Sequence, residues 1–201
     1  MLAVFDTHPI QYKAPIYRLL VDRYRTPLMV FYGSDFSVRG YRDRDFNASF
    51  AWDADLLSGY EHVFLSSAKA GSPENLERLK IPKAGIRFER FPIKAVLLSG
   101  YYFPFERQAI LLSQQKKWPV IFRADTTDEA KERSFLKSML RGFILNQFYR
   151  RCAACLYVGH NSYRHYARLI GDSERLFFSP LSVAPPFEER QNRSDLRRSL
   201  G

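Results

Sequence analysis

The first twenty residues place the strongest constraint on the fold. Leu2–Phe5 is a short apolar run and Asp6–Lys13 a polar loop. A helical pattern follows, with Pro15 near its start and Ile16, Leu19 and Leu20 on one face. Strand, loop and helix in that order open a parallel α/β domain, because parallel strands need a long crossover and a helix is its usual form. In such sheets ligands bind beyond the carboxyl ends of the strands. The loop carrying His8 and Gln11 is therefore where function is expected first.

The same alternation continues along the chain. The first helix is expected over Ala14–Arg25, and Pro27–Tyr32 and His62–Leu65 read as strands. Between them, Gly33–Asp55 is polar and aromatic, with Asp43, Arg44 and Asp45, and shows no period. It reads as a long excursion, and such loops in compact domains are usually functional or mobile. Ser72-Pro-Glu-Asn begins a short helix with Pro73 at its first position. Ala95–Ser99 is a continuous apolar run before Gly100, as in a buried parallel strand.

Phe105–Lys117 reads as a helix, and Val120–Phe122 as a strand running into Arg123-Ala-Asp-Thr-Thr-Asp. A long amphipathic helix is expected over Lys131–Arg151. Its Phe135, Leu136, Met139, Leu140, Phe143, Ile144 and Phe148 recur at helical spacing. Ala154–Val158 is a strand, Asn161–Ile170 a helix stopped by Gly171, and Arg175–Phe178 a last short strand. Strands alternating with helices predict an α/β fold, a Rossmann-like parallel sheet with helices on both faces, over residues 1–179. Pro180, Pro185 and Pro186 then mark a linker within residues 180–201.

At 201 residues, 46% of them hydrophobic and 15% aromatic, the chain suits one folded domain, or one domain plus a fragment of another, rather than a disordered segment. Its apolar runs are far shorter than the roughly 20 residues that span a bilayer. Asp6 and His8 interrupt the N-terminal run, so no signal peptide is expected, and with only two cysteines the chain reads as cytoplasmic. The net charge of +10 favours anionic partners such as nucleic acid, an anionic membrane surface or a phosphorylated substrate, or simply serves solubility.

Four polar sites fall at predicted strand ends: Thr7–Gln11, Gly100–Tyr102, Arg123–Asp128 and Gly159–Asn161. In a parallel sheet these share one edge and can line one cleft. His8 is a candidate general base or hydrogen-bond donor to a phosphate, or a histidine that caps its loop. Asp125 can orient a substrate hydroxyl and Arg123 can pair with a phosphate bidentately, or the two form an internal pair. Asp125-Thr-Thr-Asp128 can also cap the helix that follows. His160 and Asn161 face a ligand, or Asn161 is the helix N-cap.

Cys152-Ala-Ala-Cys155 sits where a helix gives way to a strand, unlike a redox pair at a helix N-terminus, and reads as structural. The four histidines show no metal-site spacing, and no metal or other cofactor is expected. Arg133, Lys137 and Arg141 form an i, i+4 basic stripe. They face an anionic membrane surface, or they are the solvated side of a sheet-packing helix.

Several of these residues together resemble a known family. Thr7-His-Pro-Ile-Gln-Tyr, Tyr32-Gly-Ser-Asp, Phe50-Ala-Trp-Asp and Leu56-Leu-Ser-Gly-Tyr are similar to the N-terminal domain of GT-B glycosyltransferases of family four, in a bacterial branch. So are Leu98-Ser-Gly-Tyr, the Arg123-Ala-Asp loop and Tyr157-Val-Gly-His-Asn with Tyr163. The resemblance spans about Leu2–Phe187. It implies the acceptor-binding half of a two-domain enzyme that moves a sugar from a nucleotide-sugar donor to a surface polysaccharide or glycolipid.

By that resemblance His8 and Asp125 are catalytic candidates, and Gln11, Gly100, Tyr101, Arg123, His160 and Asn161 line the acceptor cleft. The family generally retains anomeric configuration and needs no metal. A peripheral place at the inner face of the membrane follows from a lipid-linked acceptor. The sequence departs from the family in two ways. The first loop has no glycine cradle, and the donor-binding half is missing after the linker, so the chain alone is expected to be inactive. The alternative expectation is a non-catalytic Rossmann-like module that binds nucleic acid or an anionic membrane. A GT-B-fold sugar-nucleotide epimerase is a third.

Overall fold

The computed structural model describes residues 1–43, 48–50, 55–66, 73–82, 86–127, 135–171 and 174–181. Expectations for Arg44 and Asp45, Trp52-Asp53, Ser72, Asp128, Lys131–Ser134 and residues 182–201 lie outside them. The elements are β1 (Leu2–Asp6), α1 (Ala14–Asp22), β2 (Leu28–Tyr32), α2 (Phe36–Arg39), β3 (Tyr41–Asp43), β4 (Ala48–Phe50), β5 (Glu61–Phe64), β6 (Ala95–Leu98), α3 (Pro104–Gln115), β7 (Val120–Arg123), α4 (Phe135–Arg151), β8 (Ala154–Tyr157), α5 (His160–Ile170) and β9 (Leu176–Phe178). Two 3₁₀ turns, Pro73–Arg78 and Phe88–Arg90, stand between β5 and β6.

Among the described residues, seven strands form one parallel sheet in the order β5-β2-β1-β6-β7-β8-β9. The α/β fold is thus Rossmann-like. The chain steps outward from β1 to β2 and β5, returns to β6, and then steps the other way to β9. Right-handed crossovers that progress in opposite directions put their helices on opposite faces. Accordingly α1 covers one face and α3, α4 and α5 the other.

Side-chain alternation feeds both layers. Val4, Val30 and Tyr32 pack against Ala14 and Tyr17 of α1, with Leu56 and Tyr60. Phe5, Phe31, Val96, Leu98 and Phe122 pack against Phe105 and Ala109 of α3, Leu145 and Tyr149 of α4, and Tyr166 and Leu169 of α5. Burial on both faces is why the central strands read as continuous apolar runs.

The structure departs from the expectations in three places. Helix α1 ends at Asp22 because Arg25 turns into the left-handed region at φ 51° and Thr26 precedes a proline. The excursion after β2 holds the one-turn helix α2 and the antiparallel ribbon β3–β4, in which Tyr41 pairs with Phe50 and Asp43 with Ala48. Elements of three or four residues are too short to leave a period.

The third difference is the face that α4 buries. Its repeat of Leu136, Met139, Leu140, Phe143 and Ile144 points to solvent, each side chain 56–77% exposed. The sheet instead receives Leu145 and Tyr149, with Phe148 half-buried beside them. Two contacts fix that rotation. Gly142 sits where a Cβ would be 3.9 Å from Leu169, and Asn146 Nδ2 donates to the Leu169 carbonyl, so α5 is close on that side. Tyr149 lies edge-on to Tyr166 and tilted against Phe122.

Candidate functional site

The sheet's topological switch point lies between β1 and β6, and in open α/β sheets this is where ligands bind. Two loops flank it, Thr7–Lys13 after β1 and Ser99–Phe103 after β6. The loops after β7 and β8 continue along the same edge. With strands about 4.8 Å apart, the β1 and β8 loops are about 14 Å apart. A ligand touching both has to be longer than a single sugar ring.

Beneath the switch point lies a group of largely buried polar side chains that the sequence did not single out. Asp6 ends β1 and is buried. Lys13 Nζ lies 2.6 Å from Asp6 Oδ1, and the Tyr17 hydroxyl donates to Asp6 Oδ2. Burial and the Asp6 carboxylate push the Tyr17 hydroxyl well up, so it stays a donor. Glu106 joins from α3, where its Oε2 accepts from the Phe103 N–H at 3.0 Å. A Cβ at Gly100 would sit on that carboxylate, so glycine lets Glu106 tuck under the loop. Burial raises the Glu106 pKa above the usual carboxylate value, with Asp6 adding and the loop N–H groups and Lys13 opposing.

One local signal for this cluster was a polar residue, Asp6, closing an apolar strand. A glutamate three residues after Phe103 gave a second hint, as a capping residue.

His8 is half-buried beside this group. Its Nδ1 pairs with Thr7 Oγ1 at 3.0 Å and its ring packs on Phe36 with centroids 4.5 Å apart. Burial lowers its pKa to about 4, Lys13 adding and Asp6 opposing. The imidazole is therefore neutral near pH 7 and holds a proton weakly. That suits hydrogen bonding to a hydroxyl better than carrying its proton. Gln11 is exposed at the loop tip.

In the loop after β6, Tyr101 stacks on Phe122 and its hydroxyl accepts from Arg141 Nη2 at 2.8 Å. It ties the loop to α4. Its neighbour Tyr102 is 68% exposed on the same edge, and Tyr12 is exposed on the β1 loop.

The β7 and β8 loops play different parts from those expected. Arg123 donates through Nε to Ser179 Oγ at 3.0 Å, and through Nη2 to the carbonyls of Ser179 and Pro180 at 3.2 and 2.9 Å. In that arrangement the guanidinium is directed to Ser179 and Pro180 rather than to Asp125 in the internal pair the sequence suggested. Asp125 is exposed at the strand end. The N-cap of α5 is Gly159 rather than Asn161. Ser162 Oγ accepts from the N–H groups of Val158 and Gly159 at 3.0 and 3.1 Å and donates to the Gly159 carbonyl. With capping supplied by Ser162, His160 and Asn161 both stand exposed on the edge.

Of the basic stripe, Arg133 and the Lys137 side chain lie outside the described residues, and Arg141 is half-buried and turned to Tyr101. Cys152 and Cys155 are buried free thiols, and the hydrogen bond with Cys155, followed by burial, pushes the Cys152 thiol up. Cys152 lines a cavity of about 420 Å³ with Trp118, Val120 and Phe148, at the amino edge of the sheet and away from the crevice. Among the described residues no three His, Cys, Asp or Glu side chains are grouped to hold a metal ion. No family model matches the chain, and no curated protein matches it.

Proposed function

We propose that this chain is the acceptor-binding domain of a glycosyltransferase. In this reading the crevice between β1 and β6 receives a saccharide or lipid-linked saccharide. The observation that carries the reading is the composition of the crevice. Two exposed tyrosines, Tyr12 and Tyr102, stand on its two flanking loops. Between those loops lies a neutral, half-buried imidazole, held beside the largely buried Asp6 and Glu106 carboxylates that brace the two loops. Aromatic faces suit the apolar side of a pyranose, and fixed polar groups suit its hydroxyls.

His8 positions an acceptor hydroxyl in this scheme. Asp125, open to solvent at the end of β7 beyond β6, accepts its proton as the hydroxyl oxygen bonds to the anomeric carbon and the donor's nucleotide phosphate leaves with the electron pair of the anomeric C–O bond. Glu106 supports the loop that presents Tyr102. The basic balance of the chain fits an acceptor carrying phosphate.

Ligand-observed NMR with the 201-residue chain tests this. The probes are a lipid-diphosphate saccharide with a shortened lipid, the free saccharide, and a nucleotide sugar. The saccharide compounds are expected to bind, with His8→Ala and Tyr102→Ala each weakening them several-fold. Absence of saccharide binding overturns the reading, and retention by salt-sensitive RNA binding alone points to a nucleic-acid module.

A further inference from the structure

We propose that the outward face of α4, with α5 beside it, docks this protein onto an anionic lipid bilayer. The inference stands on the surface itself and is independent of the sugar-transfer reading. Leu136, Met139, Leu140, Phe143 and Ile144 form one exposed stripe over three turns. The same steps of three and four residues continue to Gln147 and then to Arg150 and Arg151, which are also exposed. Single exposed apolar side chains need no explanation, but five large ones on one helix face do.

Charge identifies the partner. Helix α4 contains Lys137, Arg141, Arg150 and Arg151, α5 contains Arg164 and Arg168, and neither helix contains an aspartate or glutamate. A layer with only cations disfavours pairing with its own copy, since the same charges would meet across the contact. It favours a surface of phosphate headgroups. An apolar stripe beside cations is the pattern of a helix that lies in the bilayer interface. Among the described residues no helix is long and apolar enough to cross a membrane, so α4 rests on the surface. A groove of about 380 Å³ between α4 and α5 is lined by Met139, Phe143 and Leu169 together with Arg168. That lining offers apolar wall to an acyl chain.

The orientation has a consequence for the crevice. Because α4 follows the carboxyl end of β7, its apolar turns lie toward the edge that carries the crevice. Arg150 and Arg151 lie toward the opposite edge. Seating the apolar turns in the interface therefore brings the crevice close to the bilayer surface.

Sedimentation with vesicles tests the proposal, using one-third phosphatidylglycerol in phosphatidylcholine against phosphatidylcholine alone. The wild-type chain is expected to sediment with the anionic vesicles. Leu140→Asp/Phe143→Asp and, separately, Arg150→Glu/Arg151→Glu are each expected to lower the bound fraction about tenfold. Both pairs are exposed, so the thermal unfolding midpoint is expected to stay near wild type. Failure of the wild type to bind anionic vesicles overturns the proposal, as does unchanged binding by Leu140→Asp/Phe143→Asp. A wild-type dimer in light scattering that the same variant makes monomeric also overturns it, by showing a copy-to-copy interface. Saccharide binding measured by NMR is a separate readout, so either idea can fail alone.

Discussion

The Arg123 guanidinium donates to Ser179 Oγ at 3.0 Å, joining the carboxyl end of β7 to the residues just after β9, two strands away. With its bonds to the Ser179 and Pro180 carbonyls, it anchors the chain where it leaves the sheet.

Arg123→Ala is therefore expected to act on stability and local order. Hydrogen bonds to a charged group contribute about 1.5–3 kcal/mol each when well shielded, and this half-exposed site should lose about 1–2 kcal/mol in all. Amide exchange at Ser179, whose N–H donates to the Tyr157 carbonyl at 2.8 Å, should quicken. Urea denaturation and hydrogen exchange measure both. A loss of saccharide affinity at unchanged stability would instead return Arg123 to the role of phosphate ligand.

The Asp6–Lys13 pair is nearly closed to solvent, with side chains 2% and 11% exposed. Removing one partner strands the other, so Lys13→Met should cost about 3–5 kcal/mol. The double variant Asp6→Asn/Lys13→Met should cost less than the single, since it removes both charges. A double-mutant cycle by chemical denaturation checks the ordering.

The rotation of α4 makes a sharp contrast between two leucines five positions apart. Leu145 is 5% exposed in the core, and Leu145→Ala should cost about 2–5 kcal/mol. Leu140 faces solvent, and Leu140→Ala should lie within about 0.5 kcal/mol of wild type. Equal costs in thermal or urea unfolding would mean that α4 is turned the other way.

His8 gives stability a pH dependence with a defined sign. Its pKa is about 4 in the folded state against 6.5 for the free side chain. The unfolded chain thus binds the proton more readily. The contribution of this site is complete above pH 6.5 and lost as pH falls toward 4. Its size is on the order of 3 kcal/mol. His8→Asn should flatten that part of the profile. Denaturation midpoints for both proteins at neutral and mildly acidic pH give the difference, free of the carboxylate contributions they share.

Much of the architecture was legible in the residues. Leu2–Phe5 and Val120–Phe122 lie in strands of the sheet, Ala95–Ser99 does so up to Leu98, and the helices after them start within a residue or so of expectation where their starts are described. An apolar run bounded by polar loops carries its own signal. The candidate site was legible only as an edge. The loops of His8, Gly100, Arg123 and His160 do follow parallel strands, yet the Asp6–Lys13–Glu106 group beneath the switch point was not seen. Glu106 belongs to a helix about a hundred residues from Asp6 in the chain, and nothing in either neighbourhood announces the other.

That division has one physical cause. Periodicity and capping depend on residues within a turn or a strand of one another, so the sequence by itself determined the strands of the parallel sheet, the longer helices and the α/β class, but not α2 or the β3–β4 ribbon. Which face a helix buries, and where a long side chain ends, depend on partners brought near by folding. Only the tertiary structure turned the apolar stripe of α4 outward, because Asn146 and Tyr149 meet α5 and the sheet on the other side. Only it carried the Arg123 guanidinium to Ser179 and set Glu106 beneath Gly100.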